Sequence, residues 1–216
     1  MMTTGNCLNI GAGKVDEHGF SGFKRVVHVD QGYDTYFCIT ADQVYEFFRS
    51  NSEGQRYVKS NIFDFIYSFP FKFQYIFAER IFEHMEYVSG QIGELLEALN
   101  TITTQDAKLN ILVPNAALLS AMLLKYEKSV FSANDQIESL KTKLILNTEF
   151  TNMRQDPHLS IWTPRLAKEY IESEGTWRID SIKEKEFFAG RDIYMRIICF
   201  KAEETEERKK INEETN

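Results

Sequence analysis

The stretch CLNIGAGK (residues 7–14) decides how the chain is read: a short apolar run stops on two glycines, Gly11 and Gly13, with Ala12 between them. Soon after comes a second apolar run, RVVHVD (residues 25–30), which closes on Asp30. In an open parallel sheet, ligands bind beyond the carboxyl ends of the strands, near the switch point beside the first strand. Glycines at that point accept positive φ and let the backbone come close to a ligand.

The type of ligand is narrowed by what is missing. The dinucleotide pattern G-x-G-x-x-G requires glycine at position 16, where the chain has Asp16, a carboxylate that would repel a pyrophosphate. Lys14 follows Gly13 directly, without the spacer and the Ser or Thr of a phosphate-binding loop. Asp30, at the end of the second strand, is placed to accept hydrogen bonds from the two hydroxyls of a ribose. Its alternative role is that of a turn or helix-capping residue. Together these features point to a nucleoside-containing ligand with few or no phosphates.

Composition sets the outer limits. The 216 residues are 43% hydrophobic and include 17 Phe and 10 Tyr, enough for one sizeable domain with an aromatic core. The net charge is −7, of which the last segment, residues 202–216, carries −3. A mildly acidic body argues against an extended nucleic-acid footprint, which requires clustered Lys and Arg to displace counterions, and leaves a nucleotide or a single flipped base open. Cys7, Cys38 and Cys199 are scattered and odd in number, with no C-x-x-C, so neither a disulfide framework nor a zinc knuckle is expected. No apolar run approaches the ~20 residues of a membrane span. The expectation is a soluble cytoplasmic protein with buried thiols at Cys7 and Cys199.

Further along, apolar strands alternate with amphipathic helices. TADQVYEFFRS (40–50) has capping-box spacing at Thr40 and Gln43. YVKSNIF (57–63) and FQYIFAE (73–79) read as strands, and residues 86–104 place Val88, Ile92, Leu95, Leu96, Leu99 and Ile102 at helical spacing. KLNILVPN (108–115) reads as a strand closed by Pro114, and residues 116–146 read as largely helical. TPRLAKEYIESEG (163–175) has Thr163 as cap, Pro164 at the first position and Gly175 beyond the end. Two strands, 176–187 and 192–201, follow with only FAGR between them and pair as an antiparallel hairpin. Strands alternating with helices predict an α/β fold: a single Rossmann-like sandwich with a mostly parallel seven-stranded sheet and an antiparallel last strand. Residues 1–201 form one domain, 116–160 an insertion covering the substrate, and 202–216 a flexible charged tail.

With these motifs in this order, residues 6–201 resemble the class I S-adenosylmethionine-dependent methyltransferases, particularly the small-molecule type with Glu-His after the fourth strand. LNIGAGK is similar to the glycine-rich first motif, VVHVD to the second strand with its ribose acid, and SNIFDF to the stretch that contacts adenine. FQYIFAERIFEHM resembles the fourth strand and the Glu-His that follows; LNILVPN resembles the fifth strand. The resemblance implies S-adenosylmethionine as cofactor, held by Gly11, Ala12, Gly13, Asp30, Gln31, Asn61, Ile62, Ala78 and Glu79. Asn9 stands where many members have an acid, and KVDEHGFSGFKR after Gly13 suits a loop better than a first helix.

Catalytic residues are harder to name, because the sulfonium is already activated and methyl transfer asks mainly for alignment and, in some cases, proton removal. His84, in the turn after the fourth strand, and His158, in a polar segment ahead of the last helix, are the candidates. A structural hydrogen bond is the alternative for His84, and a surface position beside an Asp-Pro turn for His158. ERIFEH is not the inverted zinc motif, since Arg80 occupies the place of the first histidine, and no metal site is expected. The chain lacks the Asn/Asp-Pro-Pro-aromatic signature and the Pro-Cys pair of the base-methylating enzymes of this fold. The acceptor is therefore a small molecule, sugar or nucleotide. The alternatives are a non-catalytic or partner-dependent member of the fold, or an enzyme that uses the nucleoside pocket for a different reaction.

Overall fold

The computed structural model describes residues 5–11, 20–32, 38–121, 159–173, 175–188 and 191–202. Its centre is one sheet of β1 (Asn6–Ile10), β2 (Arg25–Val29), β3 (Gly54–Val58), β4 (Phe73–Glu79), β5 (Thr103–Pro114), β6 (Trp177–Phe188) and β7 (Arg191–Lys201). The strand order is β3-β2-β1-β4-β5-β7-β6. β1 to β5 are mutually parallel, and β7 runs antiparallel to both β5 and β6. The sheet is therefore mostly parallel with an antiparallel last strand, as the sequence pattern predicts. The order reverses between β1 and β4, so the carboxyl ends of β1, β2 and β4 stand together.

Local sequence explains the helices. α1 (Ala41–Arg49) starts at Thr40, whose hydroxyl accepts from the Gln43 N–H (3.3 Å) while Gln43 Oε1 accepts from the Thr40 N–H (2.9 Å). The last helix described, α4 (Pro164–Glu172), follows Thr163, whose hydroxyl accepts from the Leu166 N–H. Two expectations are corrected between them. The segment 57–63 is not one strand: β3 ends at Val58, and Asn61 caps α2 (Ile62–Ser68), its Oδ1 accepting from the Phe63 N–H at 2.9 Å. A side chain that satisfies a first-turn donor stops a strand and starts a helix. The helix expected over 86–104 is α3 (Gln91–Thr101), bounded in front by Gly90 at φ +81. Val88, before that break, is 98% exposed, whereas Ile92, Leu95, Leu96 and Leu99 are fully buried. Of the expected helical region 116–146, residues 116–121 are helical and the remainder lies outside the described residues.

One large core joins the apolar faces of these helices to one face of the sheet, through Leu8, Ile10, Val27, Val29, Ile76, Ala78, Leu109, Ile111 and Val113. Each Val, Leu or Ile side chain among these, moved from water to the interior, contributes about 1.5–3 kcal/mol. The aromatic residues belong to it: Phe65, Phe69 and Phe73 stack in series, with Phe48 edge-on to the last two. Trp162 and Trp177 are fully buried, and Trp177 Nε1 donates to the Leu96 carbonyl at 3.0 Å. On the opposite face, Cys7, Phe20 and Val26 form a smaller cluster with Phe23, Tyr75 and Phe77. Cys7, Cys38 and Cys199 are free thiols. Burial pushes the Cys7 and Cys199 thiols above their ordinary range. Among the described residues, no helix is long and apolar enough to cross a membrane.

Candidate functional site

Where β1 ends, Gly11 takes φ +67, and its N–H still donates to the Val29 carbonyl at 3.1 Å. A Cβ placed at Gly11 would stand 3.1 Å from Ile81 Cβ and 3.5 Å from the Glu79 carbonyl oxygen. The turn after β1 therefore leans directly on the turn after β4. That second turn is itself unusual: Arg80 has φ +57, a conformation that costs a non-glycine residue about 1–2 kcal/mol, and its N–H donates to the Leu112 carbonyl at 2.8 Å. Two neighbouring left-handed residues thus shape the carboxyl edge at the switch point. Ala12 and Gly13 lie outside the described residues.

The other expected cofactor-binding positions are spread over three strand ends. Asp30 follows β2, half-buried, and its Oδ1 accepts from the Gly32 N–H at 2.6 Å in a tight local turn. Gln31 beside it is exposed. Asn61 is exposed and uses Oδ1 as the α2 cap, although a carbonyl oxygen keeps a second lone pair for another donor. Ile62 and Ala78 are buried within the main core.

Glu79 is the last residue of β4 and 7% exposed. Its Oε1 accepts from Arg196 Nη1 at 3.0 Å, and the same nitrogen donates to Asn110 Oδ1 at 2.8 Å. The register explains the meeting: Glu79 pairs with Leu112 and Leu112 with Arg196, so Arg196 reaches across a fully buried leucine to the end of β4. Toward the edge, Arg196 Nε lies 3.8 Å from Glu186 Oε2, which is 2.8 Å from Lys183 Nζ. A second polar row crosses β1, β2 and β3 on the same face. The Asn9 amide is hydrogen-bonded to His28 Nδ1 (3.1 Å), and His28 Nε2 to Gln55 Oε1 (2.8 Å). Tyr57 stacks on that ring at 4.6 Å.

His84 is half-buried in a short 3-10 turn, Phe82–His84, rather than at the opening of a longer helix. The Glu83 side chain is fully buried, and its backbone carbonyl accepts from the N–H groups of Leu159 (2.7 Å) and Ser160 (3.1 Å). Ser160 Oγ donates to the Phe82 carbonyl and accepts from Trp162 Nε1. The segment entering α4 is thus tied to the turn after β4. Tyr170 anchors its other side, donating to the Ile161 carbonyl (3.3 Å) with its ring 4.2 Å from Tyr87. Burial, then the charge of Glu169, then Tyr87 push the Tyr170 hydroxyl above its ordinary pKa. His158 lies outside the described residues.

Arg196, Asn110 and Ser160 escaped the sequence reading. Each sits on a strand or extended segment whose apolar alternation reads as core, and their partners are 78–117 residues away. A charged or amide residue inside such a run was the available signal. Among the described residues, no cluster of His, Cys, Asp and Glu could hold a metal ion.

Comparison with known proteins gives a result at the level of fold. No model of a protein family matches the chain, and no curated protein matches it in sequence. Solved structures do match. One is the 1,6-didemethyltoxoflavin-N1-methyltransferase of Burkholderia thailandensis, solved with 1,6-didemethyltoxoflavin and S-adenosylhomocysteine. It is 11% identical with a TM-score of 0.56, over 93% of this chain and 72% of that one. Another is an S-adenosylmethionine-dependent methyltransferase from Clostridium acetobutylicum, 12% identical with a TM-score of 0.53, over 92% and 84% of the two chains. A third is the pyocyanin biosynthetic protein PhzM, 10% identical with a TM-score of 0.51; 93% of this chain aligns to about half of it, 51%. The chain has the Rossmann-like α/β fold of these structures, the first two of which are methyltransferases.

Proposed function

We propose that the chain is an S-adenosylmethionine-dependent methyltransferase acting on a small molecule, sugar or nucleotide. One observation carries the reading. The left-handed Gly11 turn and the Asp30 carboxylate stand at the ends of adjacent strands, beside the point where the strand order reverses, in a fold that matches solved methyltransferase structures. These groups fit the cofactor: Gly11 allows close backbone approach, Asp30 offers an acceptor for ribose hydroxyls, and Asn61 keeps a lone pair for an adenine amino group. When bound, the cofactor supplies an activated methyl on a sulfonium. The chain's part is to orient the acceptor and, through His84 or His158, to hold or take its proton. The turn at 82–84 and the segment 159–162 tied to it form the acceptor side in this reading. In this reading residues 1–201 form one domain, and 116–160 are the insertion that covers the substrate.

Calorimetric titration of S-adenosylmethionine and S-adenosylhomocysteine into the purified chain is the test. Saturable binding, weakened at least about tenfold by Asp30→Ala, is the expected result, since loss of a charge-assisted pair costs about 1.5–3 kcal/mol. Lack of binding at millimolar ligand refutes the reading. A second reading, a non-catalytic or partner-dependent member of the fold, is favoured by one feature. Asp30 Oδ1 and Asn61 Oδ1 each hold a neighbouring backbone N–H. Binding without methyl uptake by any acceptor would select it.

A further inference from the structure

We propose that Arg196, on the last strand, is a positioning residue for the cofactor end of the site and acts through Glu79. The inference rests on the methyltransferase reading and adds to it a residue from outside the parallel strands. The left-handed turn at Gly11 is walled by the Glu79 carbonyl and by Ile81. They end β4 and begin the turn after it, and two of the bonds that hold this turn cross to β5 and β7. The Arg80 N–H bonds to Leu112, and the Glu79 carboxylate bonds to Arg196. The side chains of this pair are 8% and 19% exposed. A carboxylate in such a place is costly once its cation is gone, because the desolvation penalty remains while the attraction is lost.

Without Arg196, Glu79 gains solvation by swinging outward, and the left-handed Arg80 beside it is the joint that yields. Ile81 then moves against Gly11, and the turn that meets the cofactor shifts. Arg196 is itself fixed by Asn110 and faces Glu186, so four strands, β4 to β7, share in setting this turn. The hairpin β6–β7 is thereby linked to the cofactor end, although its strands provide no direct cofactor contact in this reading.

The test measures Kd for S-adenosylhomocysteine by calorimetry in wild type, Arg196→Gln, Arg196→Lys, Glu79→Gln and the Glu79→Gln/Arg196→Gln double variant. Tm and amide hydrogen exchange at Arg80 are followed in parallel. Arg196→Gln is expected to weaken binding about tenfold and to speed exchange at Arg80, within the range of couplings carried between sites. Arg196→Lys recovers most of the affinity. In the Glu79→Gln background, Arg196→Gln adds less than about twofold, since the route through Glu79 is already cut. A lowered Tm with unchanged Kd is the signature of a merely structural ion pair and overturns the proposal, as does equal weakening in both backgrounds. If Arg196→Gln does not fold, Glu79→Gln must show the same weakening or the proposal fails. Wild-type protein that binds no cofactor refutes the methyltransferase reading itself, and the proposal with it, before any variant is compared.

Discussion

Replacing Gly11 by alanine perturbs the edge of the sheet in two separable ways. The backbone is at φ +67, which costs an L-residue about 1–2 kcal/mol. The new Cβ also lands 3.1 Å from Ile81 Cβ, inside the ~3.5–4.0 Å of a good carbon–carbon contact. Because that neighbour is bonded to the backbone, it cannot rotate away, and overpacking of this kind adds about 1–3 kcal/mol. Gly11→Ala should therefore lose about 2–5 kcal/mol, or roughly 4–20 °C in Tm for a chain of this size. Gly90→Ala supplies the control: φ is +81, and nothing lies within 4 Å of the added Cβ, so it reports conformational strain alone. Gly11→Asn eases the backbone term and keeps the contact. Thermal unfolding followed by circular dichroism ranks the three. A Gly11→Ala Tm at or above that of Gly90→Ala would refute the claim that the β1 and β4 turns are pressed together.

Other expectations can be checked with standard measurements. Thr40→Ala removes one half of the α1 capping box and should cost about 1 kcal/mol in urea unfolding. Leu96→Ala, fully buried between α3 and the sheet, should cost about 2–5 kcal/mol, and less than 1 would show a core able to collapse. The buried Cys7 and Cys199 thiols have raised pKa values, so the unfolded chain releases their protons first. Stability is then fully present below the ordinary thiol value and falls as pH rises above about 9, a slope that Cys7→Ala/Cys199→Ala should flatten. A thiol reagent should react first with half-buried Cys38, and with all three thiols only in denaturant.

What could be read in the sequence depended on how local its cause was. FQYIFAE gave β4 with its observed ends because a continuous apolar run between polar residues has no other use. Thr40, Thr163 and Pro164 marked helix starts, since caps act within one turn. Asn61 misled because the apolar pairs Tyr57-Val58 and Ile62-Phe63 read as one strand across Lys59-Ser60-Asn61 and hid its role as a cap. Val88 misled because helical spacing says nothing of a left-handed Gly90 in between. The Gly11 turn and Asp30 were legible as a pattern. The grip of Arg196 on Glu79, 117 residues away, was not, because it exists only once β5 and β7 have taken their register.

The polar rows on the sheet have a consequence for how the strands find one another. An apolar strand can slide by two residues along its neighbour and still present valine or isoleucine to the core. The pairs Asn9 with His28, and Arg196 with Glu79 and Asn110, mark one register, because a two-residue slide parts Asn9 from His28 and Arg196 from Glu79 and leaves each parted group its desolvation cost. They work as a vernier ruled across the sheet, coming into line at one setting. Across the described sheet, a few amides, an imidazole and an ion pair thus serve as alignment marks among strands that are otherwise largely hydrocarbon. Substituting them singly should blur the assembly of the sheet, while exchanging both members of a pair should preserve it.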